Sequence, residues 1–338
     1  MANEQKTVRS EATRKEMQEK IKKALASKPT GNSLLQQAVP FDKLLKATGS
    51  KTTATGRSSS VSPVLRQSIV KTTKSKKRYS RPTSAHRYHM SSYAHCLHSH
   101  VLRLPNYSVL DTPEWFKTQG EPDVSVIIPL YKSIEEIGQQ VASWQTDGLN
   151  VEIIYVDDAC PAATKNQIVA MWKNKGTRPV GKIIACAENG GYGRACNVGA
   201  KNAKANKLVF LNADTTVTPG WLLPLVELLD DETVGVVGNT QLKYGGEHHG
   251  SVDSLGSQWE WGQRTFLHIG RHIHNGQNLA SPMQPDKVPA DLKVDGEREM
   301  VTGCCIALRK DVFNSIDGFD PRYEKGYWAD SEMCCLLR

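Results

Sequence analysis

Residues 124–131 read VSVIIPLY, residues 151–158 VEIIYVDD, residues 181–186 GKIIAC and residues 207–211 KLVFL. Each is a short, nearly unbroken apolar run that ends in polar residues. A strand buried on both faces has no use for alternating polar side chains, so such runs read as the inner strands of a sheet covered on both sides. Between them the spacing changes to that of helices: Ile134, Ile137, Val141 and Trp144 fall on one face, and residues 164–175, 194–204 and 219–229 are rich in helix formers. VGVVG, residues 234–238, supplies a fifth strand. Strand and helix alternating in this way predict an α/β domain with a mostly parallel sheet flanked by helices.

In such sheets ligands gather beyond the carboxyl ends of the strands, so the residues just after each run carry the function. The first run ends in Pro129-Leu-Tyr131-Lys, the second in Asp157-Asp158, the third is followed by Asn189-Gly-Gly-Tyr-Gly-Arg194, and the fourth by Asn212-Ala-Asp214. Taken singly each has a plain structural use. Asp157 and Asp158 or Asp214 can cap the next helix, and Gly190, Gly191 and Gly193 can serve only a tight turn. Taken together they describe a crevice for a nucleotide whose diphosphate is bound through a metal ion.

The ordered set VSVIIPLY, VDDAC, NGGYGRACNVGA, FLNADTTV, VTGCCIALRKDVFNSIDGFD and YWADSEM resembles the family 2 glycosyltransferases of GT-A fold, over about residues 124–338. NGGYGRACNVG and LNADT are most similar to the rhamnosyltransferase-like branch, which carries Asn-Pro-Asp in place of Asp-x-Asp. The resemblance implies transfer of a sugar from a nucleotide-sugar donor to a hydroxyl on a glycan, lipid-linked or protein acceptor, with inversion, in glycan or polysaccharide synthesis. By position it implies that Asp157 reads the nucleobase beside Pro129 and Tyr131, with Asp158 in the same donor site. Asn189 and Arg194 would lie near the nucleotide and its phosphates. Asp214 would bind Mg²⁺ or Mn²⁺, and Asn212 replaces the first acid of Asp-x-Asp. Asp330 matches the base, with Gly303 and Glu332 on the acceptor side, and Gly318-Phe-Asp320 precedes the base helix.

The pattern is altered at two places. Ala329 stands where Glu is usual and Glu332 where Asp is usual. The resemblance also implies a further segment with a metal-binding histidine after the base helix, and the sequence stops at Arg338, so the domain reads as truncated. A non-catalytic scaffold that binds a nucleotide sugar or a partner is the alternative that these departures favour.

Outside residues 121–338 the chain changes character. Residues 1–100 hold 20 Lys and Arg against 5 Asp and Glu, so the net charge of +8 is about +15 there and about −7 over the rest. Residues 48–84 are dominated by Ser, Thr, Lys and Arg, and residues 1–85 read as a disordered basic tail with a short helix within residues 11–26, followed by a lead-in at residues 86–120. A tail that lacks the RNA-stacking aromatics of known modules does not read as a nucleic-acid module. His86, His89, His95, His98, His100 and Cys96 lie close together but without zinc-module spacing, and read as surface or packing residues. GGYGRA follows the third strand and is not GxGxxG, which excludes a dinucleotide fold. Eight cysteines without CxxC, and no apolar run of spanning length, predict reduced thiols and a cytoplasmic protein, peripheral to a membrane if associated with one. Trp259 and Trp261, in a segment with His248, His249, His268, His272 and His274, read equally as sugar-stacking or core residues.

Overall fold

The structure, a computed structural model, describes residues 67–71, 104–117, 120–160, 164–175, 180–274, 277–279, 281–293, 295–323 and 328–338. The His/Cys group at 86–100 and the expected helix at 11–26 lie outside them.

In chain order the strands are β1 (Gln67–Lys71), β2 (Tyr107–Val109), β3 (Val124–Leu130), β4 (Val151–Asp157), β5 (Val180–Cys186), β6 (Lys207–Leu211), β7 (Val234–Asn239), β8 (Gln241–Leu242), β9 (Val252–Ser254), β10 (Ser257–Glu260), β11 (Thr265–His268), β12 (Ile273–His274), β13 (Gln277–Asn278), β14 (Gly296–Glu297) and β15 (Cys305–Arg309). The α-helices are α1 (Ile134–Ser143), α2 (Thr164–Lys175), α3 (Tyr192–Asn202), α4 (Leu223–Leu228), α5 (Lys310–Ser315) and α6 (Ala329–Leu337). Nine strands form one sheet in the order β14-β1-β7-β15-β6-β3-β4-β5-β2. Its centre, β6-β3-β4-β5, is parallel, while β15 runs antiparallel between β6 and β7, and β2 runs antiparallel on β5. This is the α/β, GT-A-like class that the sequence predicts.

Strand pleating divides the apolar runs between two cores. Val124, Val126, Ile128 and Leu130 of β3, with Ile153 and Tyr155 of β4, pack against α1, α2 and α4. Ile127, Ile154 and Val156 face the other way, toward α3, α5 and α6. In the first core Trp144 meets Trp172 and Trp221 edge-on, with ring centres 5.7 and 5.6 Å apart. In the second, α3 lies so close to the sheet that a Cβ at Gly199 would come within 2.3 Å of Ile127 Cγ2. Only glycine allows that approach, which fixes the helix whose first turn enters the site.

Two expectations change. Gln67–Lys71, within the stretch read as a disordered tail, pair antiparallel with β7, and Val70 is fully buried. QSIVK has only two β-branched apolar residues, too short a signal to stand out from its polar surroundings, and it is ordered through contacts made by a neighbour far away in sequence. The helix expected over 219–229 begins only at Leu223, because Asp147 accepts the N–H groups of Gly220 and Leu222 and holds the preceding residues in a turn. The described part of the lead-in is part of the sheet, with β2 at its edge and Phe116 buried.

Candidate active site

The parallel strands β3, β4 and β6 deliver their carboxyl ends to one side. Asp158, just beyond β4, is nearly buried, and its backbone N–H donates to Leu130 O at the end of β3 (2.9 Å). Its carboxylate accepts the N–H groups of Gly190 (2.9 Å) and Gly191 (2.8 Å). The glycine loop is therefore held by a side chain from the neighbouring strand. Burial raises the Asp158 carboxyl above its ordinary value, with the two N–H bonds and the Arg194 charge opposing that rise. Asp157 accepts the Cys160 N–H (2.7 Å) and the Thr164 hydroxyl, so it shapes the turn into α2. Asn189 Nδ2 donates to Asp158 O (3.3 Å).

Tyr131 lies one residue past β3 and is 45% exposed. Pro129 is inside β3, in register with Val156. Arg194, in the first turn of α3, lies with its aliphatic stem close against Gly190, and its Nε is buried without a hydrogen-bond partner among the described residues.

The end of β6 meets the turn at Gly303 and Cys304 directly. Asn212 N–H donates to Cys304 O (2.9 Å), and Thr215 Oγ1 lies 3.5 Å from Cys304 Sγ. Burial, with the nearby carboxylates of Asp214 and Asp253, pushes the Cys304 thiol up to about 11, so it stays neutral. Asp214 is exposed and makes no cap to α4, which starts nine residues later.

Gly303, the neighbour of Cys304, donates its N–H to Asp330 Oδ2 (2.7 Å), while Asp330 Oδ1 accepts the Ser331 N–H (2.8 Å). A Cβ at Gly303 would press on this carboxylate at 3.3 Å. Burial raises the Asp330 carboxyl above its ordinary value, with the N–H groups of Gly303 and Ser331 working against that rise. Glu332 follows in the same turn, its N–H bonded to Trp328 O (2.9 Å). Trp328 holds a left-handed backbone with φ 74°, a strained conformation for a tryptophan and one that sets the entry angle of α6.

Two residues that the motifs contain but sequence reasoning left without a role join these pieces. Tyr192 OH donates to Gly303 O (2.8 Å), linking the glycine loop to the turn that holds Asp330. Burial keeps its phenol protonated. Asn197 accepts the Phe319 N–H (2.9 Å) and donates to Phe319 O (2.8 Å), clamping the segment before α6 onto α3. The available signal is their place in α3, one at its first residue and one a turn and a half later. Hydrogen bonds thus link Asn189 to Asp158 beyond β4, Asn212 after β6 to Cys304, and Gly303 to both Tyr192 and Asp330. A separate cavity of about 340 Å³, lined by residues including Ser257, Arg298 and Glu299, contains none of them.

Comparison with known proteins gives the family. The glycosyl transferase family 2 profile matches residues 125–316, more than half of the chain. The chain belongs to glycosyl transferase family 2. This family 2 chain is 31% identical over 110 residues to the succinoglycan biosynthesis protein ExoO of Rhizobium meliloti (strain 1021), covering 32% of this chain and 30% of that protein's length. Among solved structures it is similar to the mannosyltransferase PcManGT from Pyrobaculum calidifontis in complex with GDP-Man and Mn²⁺, at 24% identity, over 36% of this chain and 39% of that one, with a TM-score of 0.31. It is also similar to S. aureus TarS, at 18% identity, over 63% and 33% of the two chains, with a TM-score of 0.40. Among the described residues, no helix is long and apolar enough to cross a membrane.

Proposed function

We propose that this chain transfers a sugar, with inversion, from a nucleoside-diphosphate donor at the strand ends to an acceptor hydroxyl in glycan synthesis. The observation that carries the reading is the Asp330 carboxylate, oriented by Gly303 N–H (2.7 Å) on a turn whose next residue bonds to Asn212 at the end of β6. A base for inverting transfer must stand across the anomeric carbon from the diphosphate, and the link from this turn to the strand ends supports that place for Asp330. Asp330 accepts the acceptor's hydroxyl proton as that oxygen bonds to the anomeric carbon, and the bond from that carbon to the diphosphate breaks, releasing the nucleoside diphosphate. Burial that raises its pKa makes it a stronger base once ionised.

Tyr131, exposed at the end of β3, offers a face for the nucleobase, with Asp157 and Pro129 beside it. Arg194, in the first turn of α3 beside the glycine loop that Asp158 holds, supplies positive charge for a diphosphate. Asp214, an exposed carboxylate with no hydrogen-bond or ion-pair partner among the described residues, is the side chain open to a divalent ion, and among those residues no three His, Cys, Asp or Glu side chains form a metal cluster. Mg²⁺ or Mn²⁺ would then be held by Asp214 and the donor's own phosphates, and would neutralise the leaving diphosphate.

The test is Asp330→Asn, assayed for transfer and for nucleoside-diphosphate release over a panel of UDP-, GDP- and dTDP-sugars. Transfer should fall by about 10²- to 10⁴-fold while nucleoside-diphosphate affinity is unchanged. In the parent the acid limb of the rate profile should lie above 3.8, the ordinary Asp value, because the protonated form cannot accept a proton. A variant that transfers as fast as the parent overturns the assignment. Donor binding by the parent without transfer to any acceptor supports the scaffold reading instead, which the fully buried Ala329 in place of an acid favours.

A further inference from the structure

The hairpin β10–β11 lies outside the donor crevice. Its register sets Trp259 opposite Phe266, with ring centres 5.1 Å apart. Trp261, in the connection between the two strands, packs edge-on against Trp259 at 6.1 Å and is 83% exposed, the most exposed large apolar side chain among the described residues. Trp259 Nε1 is buried without a hydrogen-bond partner among the described residues. An indole face left in water and backed by two more rings is the form of surface on which a flat ligand face stacks.

The root of the hairpin is tied to the reaction. Ser257 N–H donates to Met300 O (2.8 Å) and Met300 N–H to Ser257 O (3.3 Å). Met300 Sδ accepts the hydroxyl of Ser331, the residue after Asp330 (2.8 Å). Trp259 N–H donates to Glu299 Oε2 (2.5 Å). The chain from Glu299 runs straight to Gly303, which orients the base. Trp261 therefore stands four residues along the hairpin from the anchor at Ser257, about 13 Å of strand. The contacts of Met300 put the root of the hairpin next to the residue that follows Asp330, so a glycan with its reacting hydroxyl at Asp330 has the hairpin as a neighbour for its other sugar units.

We propose that Trp261, backed by Trp259 and Phe266, is a stacking platform for the non-reacting part of a carbohydrate acceptor, and that the acceptor of this chain is an oligosaccharide or longer glycan. The chemistry of the patch favours that occupant. Pyranose rings present flat C–H faces to an indole and hydroxyls at their edges. Glu260, which precedes Trp261, and Glu299, bonded to the Trp259 N–H, offer further carboxylate lone pairs to such hydroxyls. A protein interface would call for a broader apolar area than one fully exposed ring with half-buried supports.

The inference rests on the transfer reading above, and the test separates the two. The full chain and its Trp261→Ala and Trp261→Phe variants are applied to a printed array of mono- to hexasaccharides, with UDP and GDP binding in Mn²⁺ measured in parallel. The parent should bind oligosaccharides and not monosaccharides, Trp261→Ala should bind them about tenfold more weakly, and Trp261→Phe should recover most of the affinity. Nucleoside-diphosphate affinity should be equal in all three. Tryptophan fluorescence of the parent should also shift with bound oligosaccharide, and because the chain holds seven tryptophans the shift is assigned to Trp261 by its loss in Trp261→Ala. Absence of glycan binding by the parent, equal glycan binding by Trp261→Ala, or a dimer in the parent that Trp261→Ala dissolves would each overturn the inference. If glycans bind through Trp261 while no nucleoside diphosphate binds, the transfer reading fails and the platform stands.

Discussion

Asp158→Asn tests whether the glycine loop is held by a neighbouring strand for the benefit of the donor. The native carboxylate receives one N–H on each oxygen, from Gly190 at 2.9 Å and Gly191 at 2.8 Å, in a residue only 3% exposed. Hydrogen bonds to a charged acceptor contribute about 1.5–3 kcal/mol each. Asparagine keeps one acceptor oxygen, now neutral, and turns an NH₂ toward the other N–H, leaving a buried donor unmade at about 1–3 kcal/mol. Removing a buried charge offsets part of this. The net loss should be about 1–3 kcal/mol, and if it falls on the loop, nucleoside-diphosphate affinity should weaken about 5- to 150-fold.

The pH dependence of this effect has a definite sign. The folded Asp158 carboxyl holds its proton to a higher pH than the ordinary 3.8, so its contribution to stability is greatest below that value and declines as pH rises through the folded pKa. The asparagine variant has no such decline. Its deficit should therefore be largest at acid pH and narrow toward neutrality. Urea unfolding followed by the buried Trp144, Trp172 and Trp221 gives the stability difference, and calorimetry with UDP and GDP in Mn²⁺ gives the affinity. Unchanged affinity together with an unchanged unfolding midpoint would refute the role given to this carboxylate.

Two further outcomes are expected. Chelation should weaken nucleoside-diphosphate binding by the parent, while Asp214→Ala should bind weakly with or without Mn²⁺; equal affinity in all four combinations removes the metal from Asp214. At the opposite ends of the strands, Glu152 is fully buried. Burial works against its charge, yet the Lys204 N–H, the Ser125 hydroxyl (2.6 Å) and Lys182 (3.0 Å) outweigh it and hold the carboxyl below its ordinary 4.5. That contribution is complete above 4.5 and is lost as pH falls through the lowered folded value. Glu152→Gln should therefore lower the unfolding midpoint at neutral pH and flatten the acid limb of stability. An unaltered acid limb would show that Glu152 is not its source.

The sequence by itself determined the inner strands and the polar residues at their carboxyl ends. VSVIIPL, VEIIYVD and KLVFL are short, apolar at most positions and rich in Val and Ile, which suits strands of a sheet covered on both faces. The motif order around Asp157, Asn189, Asp214 and Asp330 is legible in the same one-dimensional record. Tertiary structure alone decided the rest. QSIVK becomes a strand because β7 lies beside it, and β15 enters between β6 and β7 because Arg309 and Cys305 find their partners more than sixty residues back along the chain. The bond between Asp158 and the glycine loop spans 32 residues, and the bonds from Gly303 to Tyr192 and Asp330 span 111 and 27. Such contacts depend on which backbone groups two distant segments present to each other once packed, and periodicity within either segment does not record that. The same reason left Trp259 and Trp261 open between core and surface, since period-2 alternation places Trp261 and its support alike, and only the packed hairpin shows which ring faces water.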